Sequence, residues 1–229
     1  MNQSSRFSMF STPHKGIRNF LPQLSMLAGS CDYTDPEEVK MLKVRLEETL
    51  ELLEEHAQAE NEIILSALEE KAPGSGTHDQ EDHHKLHQMQ DKLRAGLNHL
   101  ASPGIRPEEA MRLGNELYQD ISLLHAAHLE HMVEEETVTQ SLLWQYFTDG
   151  ELLQLQGRII GSMNPELLLK WWKYILPAQN PTERLKLLTN IQASTPADFF
   201  EQVLAVAKKN LSASAFEKLA AGLALVGVD

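Results

Sequence analysis

The chain has 229 residues, 42% of them apolar, enough to bury one sizeable core or a core with an appended helical layer, and the composition is not that of a disordered chain. A formal charge of -13, from 33 acidic against 20 basic residues, leaves no basic stripe to follow a nucleic-acid backbone, so nucleic acid is excluded as a partner. Cys31 is the single cysteine, so no disulfide and no thiolate-built zinc or iron–sulfur site can form within one chain. The first residues lack the apolar run of a signal peptide, and no segment has the roughly 18 to 20 apolar residues that span a bilayer; the expectation is a cytoplasmic protein that uses no membrane.

Helix starts are marked by one repeated device, a capping residue followed by proline, at Thr12-Pro13, Asp35-Pro36, Asn164-Pro165, Asn180-Pro181 and Thr195-Pro196. With few strand signals, the chain order reads as helices at about 13–29, 36–71, 78–101, 107–147, 149–162, 165–176, 181–192, 196–209 and 214–225. The first four are long and joined by short Gly- and Pro-containing connections, which favours antiparallel neighbours. The fold expected is all-α: an up-and-down four-helix bundle over 12–147 with a helical extension over 148–229, where histidine disappears and Trp171, Trp172, Phe199, Phe200 and Phe216 enter. That extension is expected to pack on the bundle, form a homodimer or meet a protein partner.

Each long helix carries polar residues on its apolar face. His14 lies in line with Ile17, Leu21 and Leu24. The second helix reads Leu42, Leu46, Thr49, Leu53, His56, Glu60, Ile64 and Ala67; the third aligns His83 and His87 with Leu86, Gln90, Leu93 and Leu97; the fourth reads Leu117, Ile121, Leu124, His128, His131, Glu135, Val138 and Leu142. His56/Glu60, His83/His87 and His131/Glu135 are each four residues apart, one turn along a single face. His84 points about 100° away from His83 and is the weaker candidate. A lone histidine on such a face is usually a core residue bonded to backbone, but four interrupted helices suggest convergence, and buried imidazoles and carboxylates favour pairing or metal. His128 fits an outer hydrogen-bonding partner of the ligands, while His78 and His99 are expected to face solvent.

Imidazole and carboxylate without thiolate suit iron, with manganese or zinc as substitutes. Seven candidate ligands exceed the needs of one ion, so two iron ions sharing an oxo or hydroxo bridge are expected. With five histidines bound, such a pair keeps one open position for O2 or another small diatomic ligand; without His87 it keeps two and exchanges iron more readily.

The order His14, His56-x-x-x-Glu60, His83-x-x-x-His87, His131-x-x-x-Glu135 resembles the hemerythrin-like (HHE cation-binding) family of four-helix bundles. The stretches Pro13-His-Lys-Gly-Ile-Arg18, Asp82-His-His-Lys-Leu86 and His131-Met-Val-Glu-Glu-Glu136 carry the likeness, which covers about 12–147. His131 through Thr148 is also similar to the corresponding helix of iron-sensing F-box members. The resemblance implies a non-haem di-iron centre bridged by Glu60 and Glu135, with His14, His56, His83, His87 and His131 as terminal ligands. The oxygen carriers place an Asp five residues after the histidine where this chain has Glu135 at four, so sensing is favoured over carriage. Two other readings stand beside it: a di-iron oxidase or peroxidase, for which only Glu81-x-x-His84 supplies the Glu-x-x-His pattern, and an all-α interaction module without metal.

Overall fold

The structure, a computed structural model, describes residues 6–226, and every described regular element is helical. The elements are α1 (Ser11–Ser30), α2 (Pro36–Ala59), a π-helical segment π1 (Glu60–Leu65), α3 (Ser66–Lys71), α4 (Thr77–Leu100), α5 (Pro107–Glu134), a second π-helical segment π2 (Glu135–Thr139), α6 (Gln140–Tyr146), α7 (Asp149–Ser162), α8 (Pro165–Ala178), α9 (Pro181–Ser194), α10 (Ala197–Asn210) and α11 (Ala213–Val226). No described helix is long and apolar enough to cross a membrane. The chain is an all-α helical bundle that divides into two compact units, one of residues up to Phe10 with Phe20–Ile159, the other of Ser11–Asn19 with Ile160 onward. The units part at Ile159 rather than after Phe147, and the first turns of α1 group with the second unit.

Several helix starts follow the cap-and-proline pattern. The Asp35 side chain accepts from the Glu37 amide ahead of Pro36, Asn164 accepts from Leu167, and Asn180 with Glu183 forms a full capping box. Thr195 does not cap; α10 begins after Pro196 with no side-chain cap bond.

In the first unit α2, α4 and α5 run antiparallel, as the cross-helix pairs show: Lys43 with Asn98 and Arg94 with Glu54 along one seam, Lys92 with Asp120 and Asp79 with Thr139 along the other. Leu42, Leu46, Leu50 and Leu53 of α2 are buried, as are Leu93 and Leu97 of α4 and Leu117, Ile121 and Leu124 of α5. Tyr33 closes one end, donating from its hydroxyl to the Ala28 carbonyl at 2.7 Å; its ring occupies the space a Cβ at Gly114 would take. The other end is sealed by Met9, Phe10, Ile64, Leu68, Leu143 and Leu152, and Arg6 ties the N-terminal segment to the Trp144 and Phe147 carbonyls.

The second and fourth long helices are not continuous α-helix as the periodicity predicts. Each breaks into a π segment whose first residue is a glutamate, Glu60 in one and Glu135 in the other. A π turn inserts one residue, so every side chain beyond it slips by one position. Ala67 yields its core place to Leu68, Val138 to Thr139, and Leu142 to Leu143. Val138 is left 52% exposed.

The second unit packs α10 against α8 and α11 against α9. Trp171 and Trp172 are buried there with Leu176, Leu188 and Val203, so the aromatic pair is core.

Candidate metal centre

Glu60, His83, His131 and Glu135, all of the first unit, place one ligand atom each within 4.8 Å of one another, and all four are buried. His83 Nε2 lies 3.4 Å from Glu60 Oε2 and 3.6 Å from Glu135 Oε1; His131 Nε2 lies 3.4 Å from Glu135 Oε1; His56 Nε2 lies 3.2 Å from Glu60 Oε1. The His83 and His131 rings meet edge to face with centroids 4.7 Å apart. Two donors each about 2.1 Å from one cation lie about 3.0 Å apart at a right angle and about 3.4 Å apart at a tetrahedral one. The observed separations therefore suit ligands around an ion better than direct hydrogen bonds.

The donor set passes the same test chemically. Two carboxylates at 2% and 0% exposure repel each other and lose hydration, which is unfavourable without a cation between them. Burial lowers the pKa of His83, but Glu135 and Glu60 outweigh burial and raise it to about 10. His83 Nδ1 meets Asn61 Oδ1 at 2.9 Å, and with Nδ1–H donating there, Nε2 faces the carboxylates. Among the described residues His83 Nε2 and His131 Nε2 find no hydrogen-bond partner. The residues present thus fit a metal.

The sequence candidates separate by placement. His56 is nearly buried beside Glu60, and His14 is fully buried on α1, in the segment that groups with the second unit. His87 does not join the buried group and corrects the expectation for that position. Its side chain is 54% exposed, 3.7 Å from Glu54 and 3.6 Å from Asp91. The buried stripe of α4 runs Asp79, His83, Leu86, Gln90, Leu93, Leu97; it takes a step of three after His83, and His87 falls about 100° beyond Leu86. His84 is exposed against Gln88, and Glu81 is exposed too, so the Glu-x-x-His pair of the enzyme reading lies on the surface. His78 and His99 face solvent.

His128 is buried, and its Nε2 makes no hydrogen bond to any described residue. Burial first, then the neighbouring His131 and His56, hold its pKa well below the ordinary value, so it stays neutral. With Gln90 and His83 it lines a cleft of about 510 Å³ whose outer wall includes His84 and His87. Three supporting residues escaped the sequence reading. Asp79, buried, accepts from the Thr139 hydroxyl at 2.6 Å and so anchors the end of π2; Asn61 orients His83. Asp79 had a signal, lying one turn before His83, whereas Asn61 and Thr139 are placed by the π turns, which the sequence does not mark.

No family model and no solved structure matches the chain. Curated relatives do. F-box/LRR-repeat protein 5 of Mus musculus is 24% identical over 84% of this chain, that of Salmo salar 24% over 67%, and that of Danio rerio 24% over 66%. The chain spans 28%, 21% and 22% of their respective lengths. These findings correct the family expected from the sequence: the hemerythrin-like (HHE cation-binding) resemblance is met by no family model, and the relatives found are F-box/LRR-repeat proteins at an identity that gives likeness without membership. What the chain is similar to is the F-box/LRR-repeat protein 5 of several vertebrates, over a helical bundle with a buried His/Glu group that could hold a metal ion.

Proposed function

We propose that the chain binds two iron ions without haem and uses them to bind or sense O2, nitric oxide or iron itself. The ligands proposed within the first unit are His56, Glu60, His83, His131 and Glu135, and manganese or zinc can substitute. The observation that carries this reading is the convergence of two buried carboxylates and two buried imidazoles at ligand-to-ligand spacings. Bound iron would supply a redox-active cation pair open to a small diatomic ligand.

The chain's own residues do the rest. Glu60 and Glu135 supply the negative charge that draws cations into a core; Asn61 holds His83 by Nδ1 so that its other nitrogen faces inward. The cleft beside His83, Gln90 and His128 offers a small ligand a way in. With His87 on the surface, fewer imidazoles would hold the metal, which favours exchange and sensing over storage.

Metal analysis of protein purified without oxygen, followed by a spectrum after admitting air, tests this. About two equivalents of iron and a new near-ultraviolet ligand-to-metal band are expected. Less than about one equivalent and no band would sink the proposal.

A further inference from the structure

We propose that His78, Asp82 and Glu134 form a docking site for a divalent cation on the surface of the first unit, from which the ion passes inward by way of Asp82 and His131. This inference rests on the metal-binding reading above.

The three side chains present ligand atoms within 4.8 Å of one another, His78 exposed and the two carboxylates partly buried. His78 Nε2 lies 2.8 Å from Glu134 Oε1 and 3.6 Å from Asp82 Oδ2. One imidazole and two carboxylates suit a divalent cation held loosely, with water completing its shell.

A second observation points inward. His131 is buried, and its Nδ1 makes no hydrogen bond to any described residue. That nitrogen lies 3.9 Å from Asp82 Oδ2, too far for a hydrogen bond, while its Nε2 faces Glu135 at 3.4 Å. Asp82 Oδ2 therefore looks outward to His78 and inward to His131, and the His131 ring reaches from there to the buried carboxylates. Glu134 and Glu135, adjacent in sequence at the α5–π2 junction, serve the two sites separately, one outside and one inside. Lys85 opposes the path: its ammonium holds Asp82 Oδ1 at 2.7 Å and repels a cation at the surface site. The site is thus a weak way-station, suited to passing an ion on.

The test follows ferrous iron taken up anaerobically by the full chain, removing unbound metal at timed intervals. The His78→Ala, Glu134→Gln double variant is expected to load about tenfold more slowly and to reach the same final content as the unaltered chain. Lys85→Met, a change at an exposed position, is expected to load faster. Equal loading rates for the unaltered chain and both variants would overturn the docking site and leave the buried centre standing. A double variant with lower final content would also overturn it, because the triad would then be holding metal rather than passing it. An unaltered chain that takes up no iron would defeat the metal-binding proposal, and this inference with it.

Discussion

Arg184 of the second unit and the buried His/Glu group of the first are matched in opposite ways. In the second unit Arg184 lies buried, yet its guanidinium is spent on backbone, with Nε donating to the Leu176 carbonyl at 2.7 Å and Nη2 to the Gln179 carbonyl at 2.6 Å. Those carbonyls end α8, where a helix leaves acceptors without intrahelical partners, so the buried charge completes the architecture. In the first unit the buried Glu60, His83, His131 and Glu135 turn toward one another, and among the described residues His83 Nε2 and His131 Nε2 find no hydrogen-bond partner. Buried polarity matched to backbone is structural; buried polarity aimed at other side chains of opposite charge, at ligand-to-ligand spacings, is a place for a ligand.

The contrast can be broken at either side. The largest effect is expected from Glu135→Ala, which removes a carboxylate at 0% exposure facing both His83 and His131: metal content falls to background, and the melting temperature of the metal-loaded preparation drops to that of the metal-stripped chain. Metal analysis and calorimetry together check it. Arg184→Met in the second unit is expected to destabilise by about 3 kcal/mol, by leaving helix-end carbonyls without their charged donor, while metal content stays unchanged. Chemical denaturation reads the first quantity, and loss of metal in this variant would blur the distinction drawn here.

Thr139→Val sharpens the account within the first unit. It removes the hydroxyl that donates to buried Asp79 and is expected to lower stability by about 2 kcal/mol. Because π2 is anchored by this bond, the variant should also weaken iron retention in a chelator competition. Unaltered retention would show that π2 needs no such anchor.

The smallest effect belongs to Glu151, on the surface at the start of α7. Its hydrogen bond and ion pair with Lys71, helped by the Thr148 amide, lower its pKa to about 2. A carboxylate depressed on folding stabilises above its ordinary pKa of 4.5 and ceases to as pH falls toward 2. Glu151→Gln should therefore shift the melting temperature slightly at pH 7 and progressively less as pH falls through 2, measured by thermal scans across that range.

The comparison also explains what could be read in the sequence. The long helices and their capped starts follow from 3.6-residue periodicity and the cap-and-proline device, both local properties. His56, Glu60, His83, His131 and Glu135 stood out because each interrupts an apolar stripe, and stripes survive in sequence. The π turns did not, since inserting a residue into a helix ladder depends on what the side chains beyond it pack against. The slip from Val138 to Thr139 and from Ala67 to Leu68 went unseen for that reason. His87 misled because spacing by four places two residues on roughly one face, while the choice between a step of three and a step of four depends on where the neighbouring helix lies. Arg184 could not be foreseen as buried, because its partners are carbonyls and carry no mark in the sequence.

Crystals grown without oxygen in the presence of ferrous iron and measured at the iron absorption edge test the central claim most directly. The account expects two anomalous peaks about 3.5–4 Å apart, flanked by Glu60, His83, His131 and Glu135. An iron-edge map with no peak among these four side chains, from protein that is folded and exposed to excess ferrous iron, would contradict it.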